Sequence, residues 1–175
     1  MATDSQPVYL VQASSDPVVL AINGRASYLN CAPVHQFFER MLKLGRRRFI
    51  LDFSRCTGMD STFLGIIAGT AVEVRKAEPP GGMTLLGLSP RNLELVRNLG
   101  LARLVTVDSG EYPMNFSADK AQTLSAPAQQ ELANAKLILK AHENLVAADP
   151  GNREKFQDVL AFLKGQMLKE AAEGK

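Results

Sequence analysis

Short apolar runs alternate with helical stripes through the first two thirds of the chain. Val8-Tyr9-Leu10-Val11 and Val18-Val19-Leu20-Ala21-Ile22 predict two strands, joined by the turn-rich Ser14-Ser15-Asp16-Pro17. Asn23-Gly24 then breaks the chain. Val34, Phe37, Phe38, Met41 and Leu42 form one face of a helix, with Pro33 in its first turn and Gly45 as a left-handed stop. Arg48-Phe49-Ile50-Leu51-Asp52-Phe53 is short, aromatic and β-branched, as a buried strand is. Ser54 to Gly58 reads as a connector. Leu64, Ile67, Ala68 and Ala71 then fall at i, i+3, i+4 and i+7, which predicts a helix from Asp60 to about Ala77.

Glu78-Pro79-Pro80-Gly81-Gly82 ends that helix, and residues 83–88 form another buried strand. Ser89-Pro90 opens a short helix, with serine as cap and proline at the first helical position. It closes at Gly100, and Leu104 to Val107 predicts a last strand. Strands alternating with helices imply parallel pairing in a layered α/β domain. The first two strands have only a turn between them and should pair antiparallel, so a mixed sheet of four to five strands is expected.

The last third has a different pattern. Residues 109–127 are polar, carry Gly110, Pro113 and Pro127, and read as a linker or wrapped segment. From Ala128 to about residue 172 the pattern is helical. Leu132, Ala135, Leu139, His142 and Val146 make a coiled-coil-like seam. Asp149-Pro150-Gly151-Asn152 is a turn, and Phe156, Leu160, Leu163 and Met167 form the facing stripe. So short a helix pair has little core, so it must dock on the sheet domain (7–108), a second copy or a partner. Residues 1–6 read as disordered.

Composition narrows the function classes. Lys plus Arg is 20 and Asp plus Glu is 18 in 175 residues, a balance that does not point to nucleic acid. Arg46-Arg47-Arg48 reads as a solvated strand entrance. Cys31 and Cys56 have neither metal spacing nor a disulfide framework, which fits packed, reduced thiols in a cytoplasmic protein. The N-terminus lacks the regions of a signal peptide. No apolar run approaches the ~20 residues that span a membrane. No phosphate loop or nucleophile elbow is present, and no acid, base and nucleophile set converges, so a non-enzymatic role without cofactor or metal is expected. His35 and His142 are far apart and read as packed or surface histidines.

Candidate chemistry gathers at Met59-Asp60-Ser61-Thr62-Phe63, where a strand gives way to a helix. Asp60 or Ser61 can cap the first-turn amides, for ~1 kcal/mol. A helix start also suits a phosphate. Gly65 and Gly69, one turn apart, read as permitting close helix packing.

Strand, connector, Met-Asp-Ser, Leu64-Gly65 and an apolar helix together resemble the STAS family, the domain of bacterial anti-sigma factor antagonists. The resemblance covers roughly Val8 to Val107 and includes Leu88-Ser89-Pro90-Arg91-Asn92-Leu93 and Leu99-Gly100-Leu101. It implies a small sheet with helices mainly on one face. It also implies that Ser61 is a regulatory phosphorylation site. The partners it implies are an anti-sigma factor that is also a serine kinase, bound by the unphosphorylated form, and a phosphatase. The implied contact face is Asp60, Ser61, Thr62 and Phe63 with the 23–27 loop, where Gly24, Arg25 and Ser27 lie. Two positions depart from the family. Phe63 replaces a small glycine, either as a partner anchor or as a ring folded onto the core. Gly24-Arg25-Ala26-Ser27 replaces an acidic loop, so the partner surface is altered.

Two rival readings accompany this one. One is a STAS scaffold or adaptor in a signalling or transport complex, without phosphorylation, using the hairpin for extra contacts, a homodimer among them. The other is a module binding a nucleotide or lipid near residues 23–30.

Overall fold

The structure, a computed structural model, describes residues 8–108, 121–124 and 134–174. The expected disordered start, most of the linker and the start of the hairpin, including Ala128 and Leu132, lie outside the described residues.

The apolar runs become β1 (Tyr9–Gln12), β2 (Val18–Ala26), β3 (Arg48–Met59), β4 (Gly82–Leu86) and β5 (Thr106–Asp108), with a short β6 (Gln122–Thr123). They form one mixed sheet in the order β5-β4-β3-β2-β1-β6. β2 to β5 are parallel, while β1 is antiparallel to both of its neighbours. The sheet thus has six strands among the described residues rather than four or five. The addition is β6, two residues within the polar stretch expected to be linker.

The helical stripes become α1 (Ala32–Lys43), α2 (Ser61–Lys76), α3 (Pro90–Asn98), α4 (Ala135–Ala148) and α5 (Asn152–Glu173). Gly45, at φ +83°, ends α1, and the Arg47 guanidinium donates to the Leu42 carbonyl there. Ser89 accepts from the Asn92 amide at the start of α3, and Gly100, at φ +76°, ends it. The main core lies on one face of the sheet. There Leu20, Ile22, Leu51 and Phe53 meet Phe37 and Phe38 of α1 and Leu64, Ile67 and Ala71 of α2. The other face carries a separate small cluster of Val19, Ile50 and Leu86.

Two expected breaks in the chain are strand instead. β2 runs through Asn23-Gly24 to Ala26, and β3 runs through Ser54–Gly58 to Met59. They pair with each other along this extension, Gly24 opposite Cys56 and Ala26 opposite Met59. The polar residues and glycines that suggest turns sit at register shifts, where irregular twist suits a residue such as Gly24 at φ +103°. The β2–α1 loop therefore begins at Ser27, after Gly24 and Arg25.

The hairpin docks on its own chain. Asn152, fully buried at the start of α5, donates to the Leu99 and Leu145 carbonyls, which ties the hairpin turn to the end of α3. Lys155 donates to the Asn98 carbonyl at 2.6 Å, and Asp149 pairs with Arg103 at 3.4 Å. α4 lies across α2. A Cβ on Gly65 would collide with the Ala141 backbone, and one on Gly69 with the Asn144 side chain. The two glycines thus allow close packing, and its occupant is α4.

Candidate functional site

The site is the point where β3 ends and α2 begins, at the carboxyl ends of the parallel strands. In open α/β sheets such ends are where loops and helix starts leave room for function. Asp60 is extended at φ −111°, ψ 175°, and its Oδ1 accepts from the Phe63 amide at 2.9 Å. Its Oδ2 accepts from the Tyr28 amide at 2.8 Å. One carboxylate therefore caps α2 and ties the β2–α1 loop to it. Both oxygens are used, which favours the capping role over holding a metal or positioning a kinase. No group of metal-binding side chains occurs among the described residues.

Since Asp60 caps, the Ser61 hydroxyl is released for another contact. Its Oγ lies 2.9 Å from His142 Nε2, and His142 Nδ1 lies 2.7 Å from the Ile138 carbonyl oxygen. A carbonyl can only accept, so Nδ1 carries the proton. In the neutral ring Nε2 then accepts from the serine O–H. The imidazole is 3 % exposed and meets the Phe156 ring edge-to-face at 5.0 Å. His142, which the sequence presents only as a packed or surface histidine, is thus the residue that engages Ser61. His35 instead sits on α1, 3.3 Å from Glu39.

A serine, a histidine and a fixed tautomer are parts of a nucleophilic dyad. A substrate space beside them is also needed. A groove of about 1080 Å³ runs between α1, α2 and α4, over Phe38, Leu42 and Ile66, and neither Ser61 nor His142 lines it. No residue of 23–30, the stretch a nucleotide- or lipid-binding module would use, lines it either.

The other expected site residues divide by burial. Thr62 and Phe63 are buried, at 3 % and 0 % exposure. Phe63 stacks on Tyr9 at 6.2 Å and meets Phe53 edge-to-face at 6.3 Å, so its ring is folded onto the core rather than offered as an anchor. Ser27 is also buried, its Oγ accepting from the Leu29 amide. Arg25 is exposed, opposite Gly58 near the end of the pairing between β2 and β3. Thr62, Phe63 and Ser27, expected on the contact face, thus lie beneath the surface. The side chains that do face outward include Tyr28 and Leu29, at 47 % and 52 % exposure. They escape a reading by apolar periodicity because they lie in a loop.

Burial, then the Asp60 charge, pushes the Cys31 thiol up to about 12. Burial likewise raises Cys56, whose thiol lies 3.3 Å from the Gly58 carbonyl oxygen. Both are free and buried, without thiolate character. No helix among the described residues is long and apolar enough to cross a membrane.

The chain is similar in fold to the anti-sigma factor antagonist SpoIIAA in its unphosphorylated form, at 19 % identity and a TM-score of 0.49, over 58 % of this chain and 88 % of that one. It is also similar to SpoIIAA of Bacillus in the phosphorylated form, at 20 % identity and 0.49, over 59 % and 93 %. A putative anti-sigma factor antagonist from Thermotoga maritima gives 19 % and 0.46, over 52 % and 80 %. No match was found among curated proteins. The family model described as "Mlab, STAS domain" matches residues 9–106, more than half of the chain, from the start of β1 to the first residue of β5. The chain therefore belongs to the STAS domain family.

Proposed function

We propose that the protein is a phosphorylation-switched binding regulator of the anti-sigma factor antagonist kind. Its unphosphorylated form sequesters an anti-sigma factor kinase and so controls transcription. The observation that supports this is the division of labour at the start of α2. Asp60 supplies the cap, which leaves Ser61 at the first helical position with a hydroxyl the helix itself does not need. In the switch, the γ-phosphoryl of a nucleoside triphosphate passes to Ser61 Oγ, the O–H proton is lost and the nucleoside diphosphate leaves. The product brings ~1.5 to 2 negative charges to a helix start, where dipole and amides favour them. A partner packed on the exposed edge of that helix start would have to desolvate the new charge, at a cost of several kcal/mol. Arg25, Tyr28 and Leu29 form the outward rim of that contact.

A second reading is favoured by one observation, the Ser61 hydroxyl already held by buried His142. In it the protein is an adaptor in a signalling or transport complex and Ser61 is a structural hydroxyl. Peptide mass spectrometry of the protein from its native cell separates the two, paired with pull-downs of wild type, Ser61→Ala and Ser61→Asp. Phosphate on Ser61, and a partner kept by Ser61→Ala but lost by Ser61→Asp, is expected. Three forms with the same partners and no phosphate would overturn the switch in favour of the adaptor.

A further inference from the structure

The C-terminal hairpin lies where a modified Ser61 would need room. The hydroxyl is half-buried under α4, and the His142 ring fills the space directly beyond Oγ. A phosphoryl group attached to Oγ along the direction of the present hydrogen bond would put phosphorus and three more oxygens into that space. The ester oxygen also has no proton left to donate to Nε2.

The surroundings leave few ways to accommodate this. The ring is pinned by the Ile138 carbonyl on one side and by Phe156 on the other. Turning it outward would give up the Nδ1–H bond to the Ile138 carbonyl and the contact with Phe156. α4 has no slack towards α2, because the Ala141 backbone already rests on Gly65 and Asn144 donates to the Gly65 carbonyl at 3.2 Å. Interfaces this closely packed respond by separating rather than by yielding gradually. The sheet core does not share the strain, since Phe63 and Leu64 pack on the opposite side of α2.

We infer that the α4–α5 hairpin is a cis-acting latch on the start of α2, closed while Ser61 is unmodified and released when Ser61 carries a phosphate. The Ser61–His142 hydrogen bond is the contact that reads the modification. This rests on the proposed function for the source of the phosphate. Release uncovers the face of α2 that holds Ser61, Gly65 and Gly69, along with the inner face of α4 with Leu139, Ala141 and Leu145. Phosphorylation thereby changes which surfaces the chain offers, in addition to adding charge at one of them.

Hydrogen exchange of the full chain, read by mass spectrometry, tests the latch. Four forms are compared: wild type, Ser61→Ala, Gly65→Leu, and the chain with phosphoserine installed at position 61 by genetic-code expansion. Gly65→Leu drives a side chain into Ala141 and reports the open hairpin with Ser61 intact. Ser61→Ala removes one hydrogen bond without adding bulk, and should speed exchange in α4 by no more than about tenfold. The phosphoserine chain should reach the exchange of Gly65→Leu across 135–173 while β2, β3 and α1 keep wild-type protection. Phosphoserine that leaves α4 as protected as wild type, or more so, while Gly65→Leu opens it, would overturn the inference. The readout does not depend on the native modification. Phosphate found in cells with α4 unmoved sinks the latch alone. A native chain that never carries phosphate sinks the proposed switch alone.

Discussion

α2 is held on two sides by contacts of different kinds. Towards the sheet it presents Phe63, Leu64, Ile67, Ala71 and Val74, each at most 1 % exposed, against strand residues such as Phe53 and Leu51. Towards α4 it presents Ser61, Gly65 and Gly69, a hydroxyl and two bare backbone positions, which α4 meets with Ala141, His142 and Asn144. The sheet side gains from the area of large apolar groups removed from water, at about 25 cal/mol per Å². The α4 side brings Ala141 and Leu145 into the same core, while Ser61, Gly65 and Gly69 themselves offer it little side-chain area. It relies on close backbone approach and on hydrogen bonds worth about 0.5–1.5 kcal/mol each. One side is suited to holding a fold together, the other to coming apart and reforming.

The largest test of this contrast sets Phe63→Ala against Leu145→Ala. Phe63 is fully buried among aromatic rings, and its truncation should cost about 3–5 kcal/mol. That is a large share of the roughly 5–15 kcal/mol available to an ordinary domain. Denaturant unfolding should show the whole domain weakened. Leu145 is equally buried, and its truncation has a range of about 2–5 kcal/mol. Where the latch holds, its effect is capped by the free energy that docks the hairpin, since α4 then leaves without unfolding the sheet. Hydrogen exchange should therefore accelerate in α4 and α5 for Leu145→Ala, with β3 unchanged. Equal acceleration in β3 would show that both sides of α2 belong to one cooperative unit.

How the two sides differ also explains what the sequence reveals. The sheet side is written in a period: Leu64, Ile67, Ala68 and Ala71 mark it, and Asp60, Ser89, Gly45 and Gly100 punctuate the chain through local capping chemistry. Gly65 and Gly69 announce a close neighbour without saying which. The link from Ser61 to His142 spans 81 positions and depends on how a hairpin folds back, which no local pattern encodes. The extended β2 and β3 escaped for a related reason. Residues 54–58 and 23–24 look like turns one strand at a time, and become strand only because each offers the other a partner. The same holds at Asp60, where the cap is local and legible while the bond to the Tyr28 amide is not.

Alkaline pH offers an intermediate test, since the strongly shifted groups lie on the sheet side. Cys31 ordinarily titrates at 9.0, and burial followed by the Asp60 charge holds it up to about 12. Tyr9 is raised as well, mainly by burial, with its hydroxyl donating to Asn30. Above pH 9 the unfolded chain loses a thiol proton that the folded chain keeps, so the folded state binds more protons. Stability then falls as pH rises. The contribution is complete below pH 9 and is lost between 9 and 12, at a slope of up to about 1.4 kcal/mol per pH unit for each group. Urea midpoints measured from pH 8 to 11 should decline above 9, and less steeply in Cys31→Ala. Identical slopes in the two proteins would remove Cys31 from the account.

The smallest effect is expected on the outer face of α5, and it sharpens the contrast within the hairpin itself. α4 buries Leu139, Ala141, His142 and Leu145, whereas α5, at 22 residues, buries only Asn152 and Leu163. Phe156 packs on His142 from within, while Phe162 is 65 % exposed on the far side. Phe162→Ser removes an exposed ring and should shift stability by no more than about 0.5 kcal/mol, as surface changes generally do. Phe156→Ala removes the ring that pins His142, and should cost clearly more and loosen α4 in hydrogen exchange. Thermal unfolding of the two variants side by side decides the matter. If Phe162→Ser costs as much as Phe156→Ala, the outer face of α5 is covered by another molecule in solution, and α5 is a second interface rather than the back of the latch.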